Sequence, residues 1–481
     1  MRKKSLLLPF ILVTVLFFMW GFITCMNDIL IPYLKKMFEL SRGQSMLVQM
    51  SFFGAYFVGS LIYFIVSSRA GDPIARMGYR NGLIAGLVIS ALGCILFFPA
   101  AAFKVYGLFL TALFVLGLGF TVLQIAANPY VAILGPPETA SSRLNLSQAF
   151  NSFGTTIAPI VGGYWVFKYF AAWGQPLLDR HGMPVLTEAG TAMSAMGVQW
   201  PYLIFAAVFL LLAVVFWATH LPELTGDGPL PRDAGALRYR QLVFGMIAIF
   251  FYVGGEVSIG SVLINFLQEL QGYHELQAKT YLAMYWGGAM TGRFLGAVSL
   301  GKGPISLQRW LLMAGIGLLG LGVIYAAISL ESGYMLPFTD WLPFAGLLLL
   351  NLLLFPLGRS LPARTLMIFA VTTGIMLVVA MGSSGNIAMW SIIGIGLFNS
   401  IMWSNIFTLS IHNLGAYTSQ ASSLLVMAIL GGAILPFVQG NLADALGGYH
   451  YSFIVPLISY LYLAWYGWKG YRPGRLGGIR N

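Results

Sequence analysis

Runs of roughly 20 apolar residues recur along the chain, and nothing else in the sequence limits its fold as strongly. In hydrocarbon the backbone N–H and C=O groups must be satisfied within the protein, so runs of this length are read as membrane-crossing helices. They are predicted near 6–34, 45–67, 79–103, 105–134, 144–169, 199–220, 240–268, 277–300, 308–330, 338–358, 364–383, 387–411, 419–443 and 450–469. With 58% hydrophobic and only 9% charged residues in 481, a soluble domain is excluded. The fold class is therefore an all-α, polytopic transmembrane helix bundle. The start, MRKK before an apolar run, has the basic region of a signal peptide, but the run is too long and lacks a small-residue cleavage site. It reads as an uncleaved first span.

Lys and Arg number 26 against 15 Asp and Glu, a balance that in a soluble chain would suggest nucleic acid. Here the cations sit in the short connections. With the N-terminus inside, 19 of the 26 fall on the cytoplasmic side, which places both termini there and accounts for the basic balance without nucleic acid. Cys25 and Cys94 both lie inside apolar runs, so no disulfide framework is indicated.

Weak internal repeats divide the chain. Gly117, Gly119, Asn128, Ile157, Pro159, Val161 and Gly163 recur as Gly394, Gly396, Asn405, Ile434, Pro436, Val438 and Gly440, each at an offset of 277. Tyr56 and Gly59 recur as Tyr285 and Gly288 at an offset of 229, and the difference of 48 residues is the length of two crossings. The expected organisation is a six-helix half at 1–222, a polar cytoplasmic loop at 223–240, a second half at 241–470 with an inserted helical hairpin at 308–358, and a basic cytoplasmic tail at 471–481.

Polar side chains inside spans carry the functional signal. Gln124 and Asn128 stand four apart, and Asn145, Gln148 and Asn151 stand three apart, so each set shares a helix face. Five carboxamides in two neighbouring spans fit a surface for a hydroxyl-rich ligand; the alternative is interhelical hydrogen-bond glue. Two acids lie within spans, Asp28 and Glu256. An Asp at the bilayer centre costs roughly 2.5 to 3.5 kcal/mol on insertion scales, and the usual reason to carry one is a proton or ion path. The alternative for either is an ion pair with an in-membrane Arg, for which Arg293 is the candidate. His181, His220, His274, His412 and His450 lack metal-ligand spacing, and there is no HExxH, GxSxG or Walker A loop, so neither an enzyme, a metal site nor an ATP-driven pump is expected.

The stretches NDIL at 27–30, AANPY at 126–130, RLNLSQAFNSFG at 143–154, EVSIGS at 256–261, GLFNSIMWSNIFTL at 396–409 and TSQASSLLVMAILGGAILP at 418–436 resemble the fucose, glucose and galactose cation symporters of the major facilitator superfamily. The resemblance covers both halves and is nearer the glucose/galactose branch. It implies two pseudo-symmetric sets of six core helices plus the inserted pair, and import of a hexose with H+ or Na+ by alternating access in a bacterial inner membrane. Asp28 and Glu256 would couple the cation; Asn27, Gln124, Asn128, Gln148, Asn151, Asn399 and Trp403 would bind the sugar. No cofactor is expected beyond the co-transported ion, the partners being a small sugar and the bilayer, with a monomer as the default. Where fucose-transporting members carry a second coupling Glu and an Asn, this chain has Gln124 and Cys25, which weakens fucose as the substrate. A fucose or N-acetylglucosamine importer, a sugar or drug exporter and a non-transporting membrane sugar sensor are the alternatives. GDPIARMGYR at 71–80 is similar to the superfamily's loop motif, with Ala75 where an acid is usual.

Overall fold

The computed structural model describes residues 6–177, 183–186, 192–222, 231–331 and 336–474; within helices a few side chains, Asp28 among them, lie outside the described residues, as do most of the 223–240 loop's first half and the end of the 471–481 tail. The chain is helical almost throughout, with two isolated β-bridges between 176 and 194. Before the central loop come α1 (Leu7–Met37), α2 (Arg42–Ala70), the short α3 (Pro73–Met77), α4 (Tyr79–Phe103), α5 (Tyr106–Ile133), α6 (Ala140–Tyr164) and α7 (Met196–Ala218). After it come α8 (Arg240–Gln271), α9 (Glu275–Ser299), α10 (Leu307–Glu331), α11 (Phe338–Leu354), α12 (Pro362–Gly382), α13 (Gly385–Asn399), α14 (Met402–Ser410), α15 (Thr418–Met427), α16 (Gly431–Leu446) and α17 (Ile454–Trp465). The fourteen predicted spans all fall on helices.

Eleven spans among the described residues are long and apolar enough to cross a bilayer by that measure alone. The 25-residue helices α6 and α9 are not among them. Their polar content is the reason: α6 carries Asn145, Gln148 and Asn151, and α9 carries Lys279 and Arg293. They pack against each other, the one from before the central loop and the other from after it.

Two spans predicted as continuous are interrupted. Between α13 and α14 the Ser400 hydroxyl turns back onto Leu397 O at 2.7 Å, and the Ser400 carbonyl, freed from the helix, accepts from Arg293 Nε at 3.2 Å. Between α15 and α16 a tight turn at Ala428–Leu430 precedes Gly431, where any Cβ would strike the carbonyl of Phe250. An unwound stretch survives at membrane depth only where protein supplies partners or contact, and both breaks meet that condition.

Close packing follows the small residues. Gly154 of α6 presses on Phe18 O of α1, and Gly431, 277 positions later, presses on Phe250 O of α8. Gly59 of α2 meets Leu118 of α5, and its match Gly288 of α9 meets Leu397 of α13. Such approaches let helices pack in lipid, where no hydrophobic driving force joins them. The helices α10 and α11 pack on α9 and α13 respectively, with α10 also touching α6. At the α2–α4 connection Asp72 caps α3: it accepts from Ala75 N at 2.9 Å and Tyr63 OH at 2.6 Å, while Arg76 donates to Ala70 O. Burial pushes the Asp72 carboxyl above its ordinary value, and these hydrogen bonds only partly oppose that.

Candidate functional site

In α5 and α6 the amides form a chain. Gln148 Nε2 reaches Asn128 Oδ1 at 3.5 Å, and Asn128 Nδ2 donates to Gln124 O one turn back at 3.1 Å. Gln124 comes against the Tyr56 hydroxyl of α2, which accepts from Trp20 Nε1 of α1 at 3.2 Å. Asn145 lies nearer the α5–α6 turn and joins Asn405 of α14 at 3.3 Å, so it serves the contact between the two helix sets, as the glue reading has it. Asn151 faces α1 and donates to Phe17 O at 3.0 Å.

Unused bonding capacity occurs in several parts of the molecule, and this region holds some of it on amides. Both amide atoms of Asn27 and Oε1 of Gln124 are buried without a hydrogen-bond partner among the described residues, and so, on α14, is Nε1 of Trp403. Trp403 is otherwise packed, stacked on Phe407 with ring centroids 6.2 Å apart. Buried polar atoms are rarely left unpaired, because each costs about 1–3 kcal/mol, so a group of them calls for a ligand or water. A sugar hydroxyl both donates and accepts, which suits carboxamides, hydroxyls and an indole N–H alike. Asp28 is on α1 beside Asn27; its side chain lies outside the described residues.

Glu256 and Asn399 are differently placed. Glu256, buried on α8, pairs with Arg293 of α9 at 3.5 Å and accepts from Tyr252 OH at 2.8 Å. Arg293 also reaches the Ser152 hydroxyl on α6, so one guanidinium ties the acid, the broken α13–α14 helix and the opposing helix set together. Asn399 donates to Tyr285 OH at 2.9 Å and accepts from Tyr460 OH at 2.6 Å, and Tyr285 OH donates on to Glu256 O at 3.1 Å. The Arg293 partner was foreseen as an alternative from sequence; the tyrosines and Ser152 were not. A signal existed, since Tyr56 and Tyr285 recur at matched repeat positions, and each proves to touch a central amide.

Further bonds join the two helix sets near the α5–α6 and α2–α4 connections. Ser141 meets Thr408 at 2.6 Å, Ser142 donates to Ala297 O at 2.5 Å, and Ser419 donates to Tyr79 OH at 3.3 Å. Gln420 Nε2 of α15 donates to Asp233 O at 3.0 Å and shares its other proton between the Ser67 and Ser68 hydroxyls at 3.2 and 3.3 Å. That end of the molecule is held shut.

Comparison with known proteins agrees with the helix arrangement. Residues 10–340 match the Major Facilitator Superfamily model. The chain is 42% identical to a glucose/galactose transporter of Brucella abortus, over 95% of this chain and 92% of that one. It is 36% identical to a putative glucose/galactose transporter of Helicobacter pylori, over 98% and 99%. The L-fucose-proton symporter of Escherichia coli is 29% identical, over 95% and 92%. Among solved structures, the superfamily transporter FucP in the outward conformation superimposes with a TM-score of 0.74 at 28% identity, covering 97% of this chain and 99% of that one. The proton:xylose symporter XylE, at 13% identity and a TM-score of 0.57, shares the fold. With this family match, these relatives and this helical core, the chain belongs to the major facilitator superfamily and is an integral membrane transporter rather than an enzyme.

Proposed function

We propose that the protein imports a hexose of the glucose/galactose type together with a cation, by alternating access across a bacterial inner membrane with both termini cytoplasmic. One observation carries the reading: both amide atoms of Asn27, Oε1 of Gln124 and Nε1 of Trp403 are buried with no hydrogen-bond partner among the described residues. Asn27, Gln124, Asn128, Gln148 and Asn151 form the sugar surface, with Trp403 covering the apolar face of the ring. Asp28 is the coupling acid, taking a proton or, with Asn27 beside it, supplying oxygen to Na+. Glu256, already matched to Arg293, and Asn399, held by two tyrosines, position the second half, residues 241–470, against the first, residues 1–222. The hairpin at 308–358 stands outside the sugar path, and the sealed end at the α5–α6 connection is the cytoplasmic one. The names of the relatives support the substrate class, and the proton-coupled relative supports cation coupling.

The test is uptake of a labelled sugar panel, glucose, galactose, fucose and N-acetylglucosamine, into proteoliposomes with proton and sodium gradients imposed separately. Gradient-driven accumulation of glucose or galactose is expected. Loss of preloaded sugar under the same gradient would indicate an exporter, and binding without flux a sensor.

A further inference from the structure

A cavity of about 1140 Å³ opens where the spans give out, at the sealed end of the molecule. Its walls come from the end of α5 at Ile133, the end of α14 at Thr408 and Leu409, the starts of α6, α10 and α12, and the turns that follow α9 and α11. That places it at the depth of lipid headgroups. Most of the wall is apolar, including Ile133, Ile305, Leu361 and Leu409, and Trp310 stands in it at the first turn of α10, the position aromatic residues take at a membrane interface.

Two cations face this space, Lys302 in the α9–α10 turn and Arg359 in the α11–α12 turn. Both are exposed, and neither makes an ion pair among the described residues. Their placement is built. Arg359 and Ser360 are consecutive non-glycine residues with φ of 51° and 56°, a left-handed pair that costs free energy at each residue. The Ser360 hydroxyl lies 2.9 Å from both Ser299 O and Gly303 O and shares its one proton between them, which holds the two turns together and brings Arg359 and Lys302 to one cavity. The Arg309 guanidinium stiffens the same turn through Lys302 O at 2.7 Å and Gly303 O at 3.2 Å, leaving the Lys302 ammonium unengaged. The lining carboxylate, Glu138, comes from the α5–α6 turn on the opposite helix set.

We propose that this cavity binds an anionic glycerophospholipid, its phosphate on Lys302 and Arg359 and its glycerol and acyl chains along the apolar wall. Two unpaired cations select negative charge; an apolar wall at headgroup depth selects an amphiphile over a free anion. Because Glu138 and Ser141 belong to one helix set and Lys302 and Arg359 to the other, a seated lipid touches both beside the Ser141–Thr408 bond and favours the state in which this end is shut.

The full-length protein, purified in detergent, would be titrated with phosphatidylglycerol or phosphatidylcholine of identical acyl chains, reading retained lipid by native mass spectrometry and the thermal midpoint. Phosphatidylglycerol should be retained selectively and raise the midpoint. In Lys302→Gln/Arg359→Gln its affinity should fall roughly thirtyfold, with phosphatidylcholine unchanged. Glu138→Gln, which removes the opposing charge, should tighten phosphatidylglycerol, whereas Lys35→Gln on α1 should leave it as in the parent. Equal retention of both lipids, an unaltered double variant, or full protection by inorganic phosphate alone would each overturn the proposal.

Discussion

The amides Asn27 and Gln124 of α1 and α5 and the polar cluster around Glu256 on α8, α9, α13 and α17 face the same difficulty, a hydrocarbon setting, and meet it differently, although Ser258 of α8 and Ser299 of α9, outside that cluster, also keep a hydroxyl unpaired among the described residues. On the first set, Asn27 and Gln124 retain buried atoms with nothing to bond. On the second, Glu256, Tyr252, Tyr285, Asn399 and Tyr460 are linked one to the next, with Arg293 balancing the charge. A saturated network fixes geometry, since loss of any member strands a buried partner. An unsaturated one gains stability when a ligand arrives. Under the proposed function, recognition falls to the first set and structural support to the second, so mutations should separate into those that change affinity and those that change stability.

The largest effect is expected for Asp28→Asn, which should abolish accumulation of sugar against a gradient while downhill exchange persists. A fixed neutral side chain neither cycles a proton nor balances a sodium ion. Accumulation at the parent level in this variant would move coupling away from Asp28.

Next is Arg293→Met, which strands Glu256 as an unpaired buried acid and should destabilise the protein by about 3 to 5 kcal/mol. Adding Glu256→Gln should recover much of that loss, read as thermal midpoints in detergent. If the double variant is no better than the single, the pair is not what Arg293 is there for.

The sequence made the helices legible because the bilayer dictates span length, and no tertiary contact can make an 18-residue apolar run anything but buried or lipid-facing. Gln124 and Asn128 were legible as one face because helix periodicity alone puts them there. The breaks at Ser400 and Ala428–Leu430 were not, for they depend on Arg293 and Phe250, more than 100 residues away in sequence. Asn399 in isolation looks like Gln124, an amide in an apolar run; only the positions of Tyr285 and Tyr460 separate a satisfied amide from an open one. Arg359 and Ser360, similarly, carry no sequence mark of a left-handed backbone.

A smaller effect concerns Asp72, outside the spans. Burial raises its carboxyl above the ordinary value, so its contribution to stability is fully present below the unfolded pKa and is lost as pH rises through the folded one. Asp72→Asn keeps a side-chain oxygen to cap α3 and removes the ionisation, so the thermal midpoint should fall less steeply between acidic and neutral pH than in the parent. An unchanged profile would mean that Asp72 is ionised without cost.

The division between an open and a saturated region is tested most directly by sugar calorimetry and thermal unfolding on the same two variants, Gln148→Ala and Asn399→Ala. Gln148→Ala should lose about 1 to 3 kcal/mol of binding with the midpoint nearly that of the parent. Asn399→Ala, by stranding the buried Tyr460 hydroxyl and removing the donor to Tyr285, should lower the midpoint strongly and leave affinity within a few fold of the parent. Unchanged affinity together with a lowered midpoint in Gln148→Ala would contradict the account and make the amides of α5 and α6 structural glue.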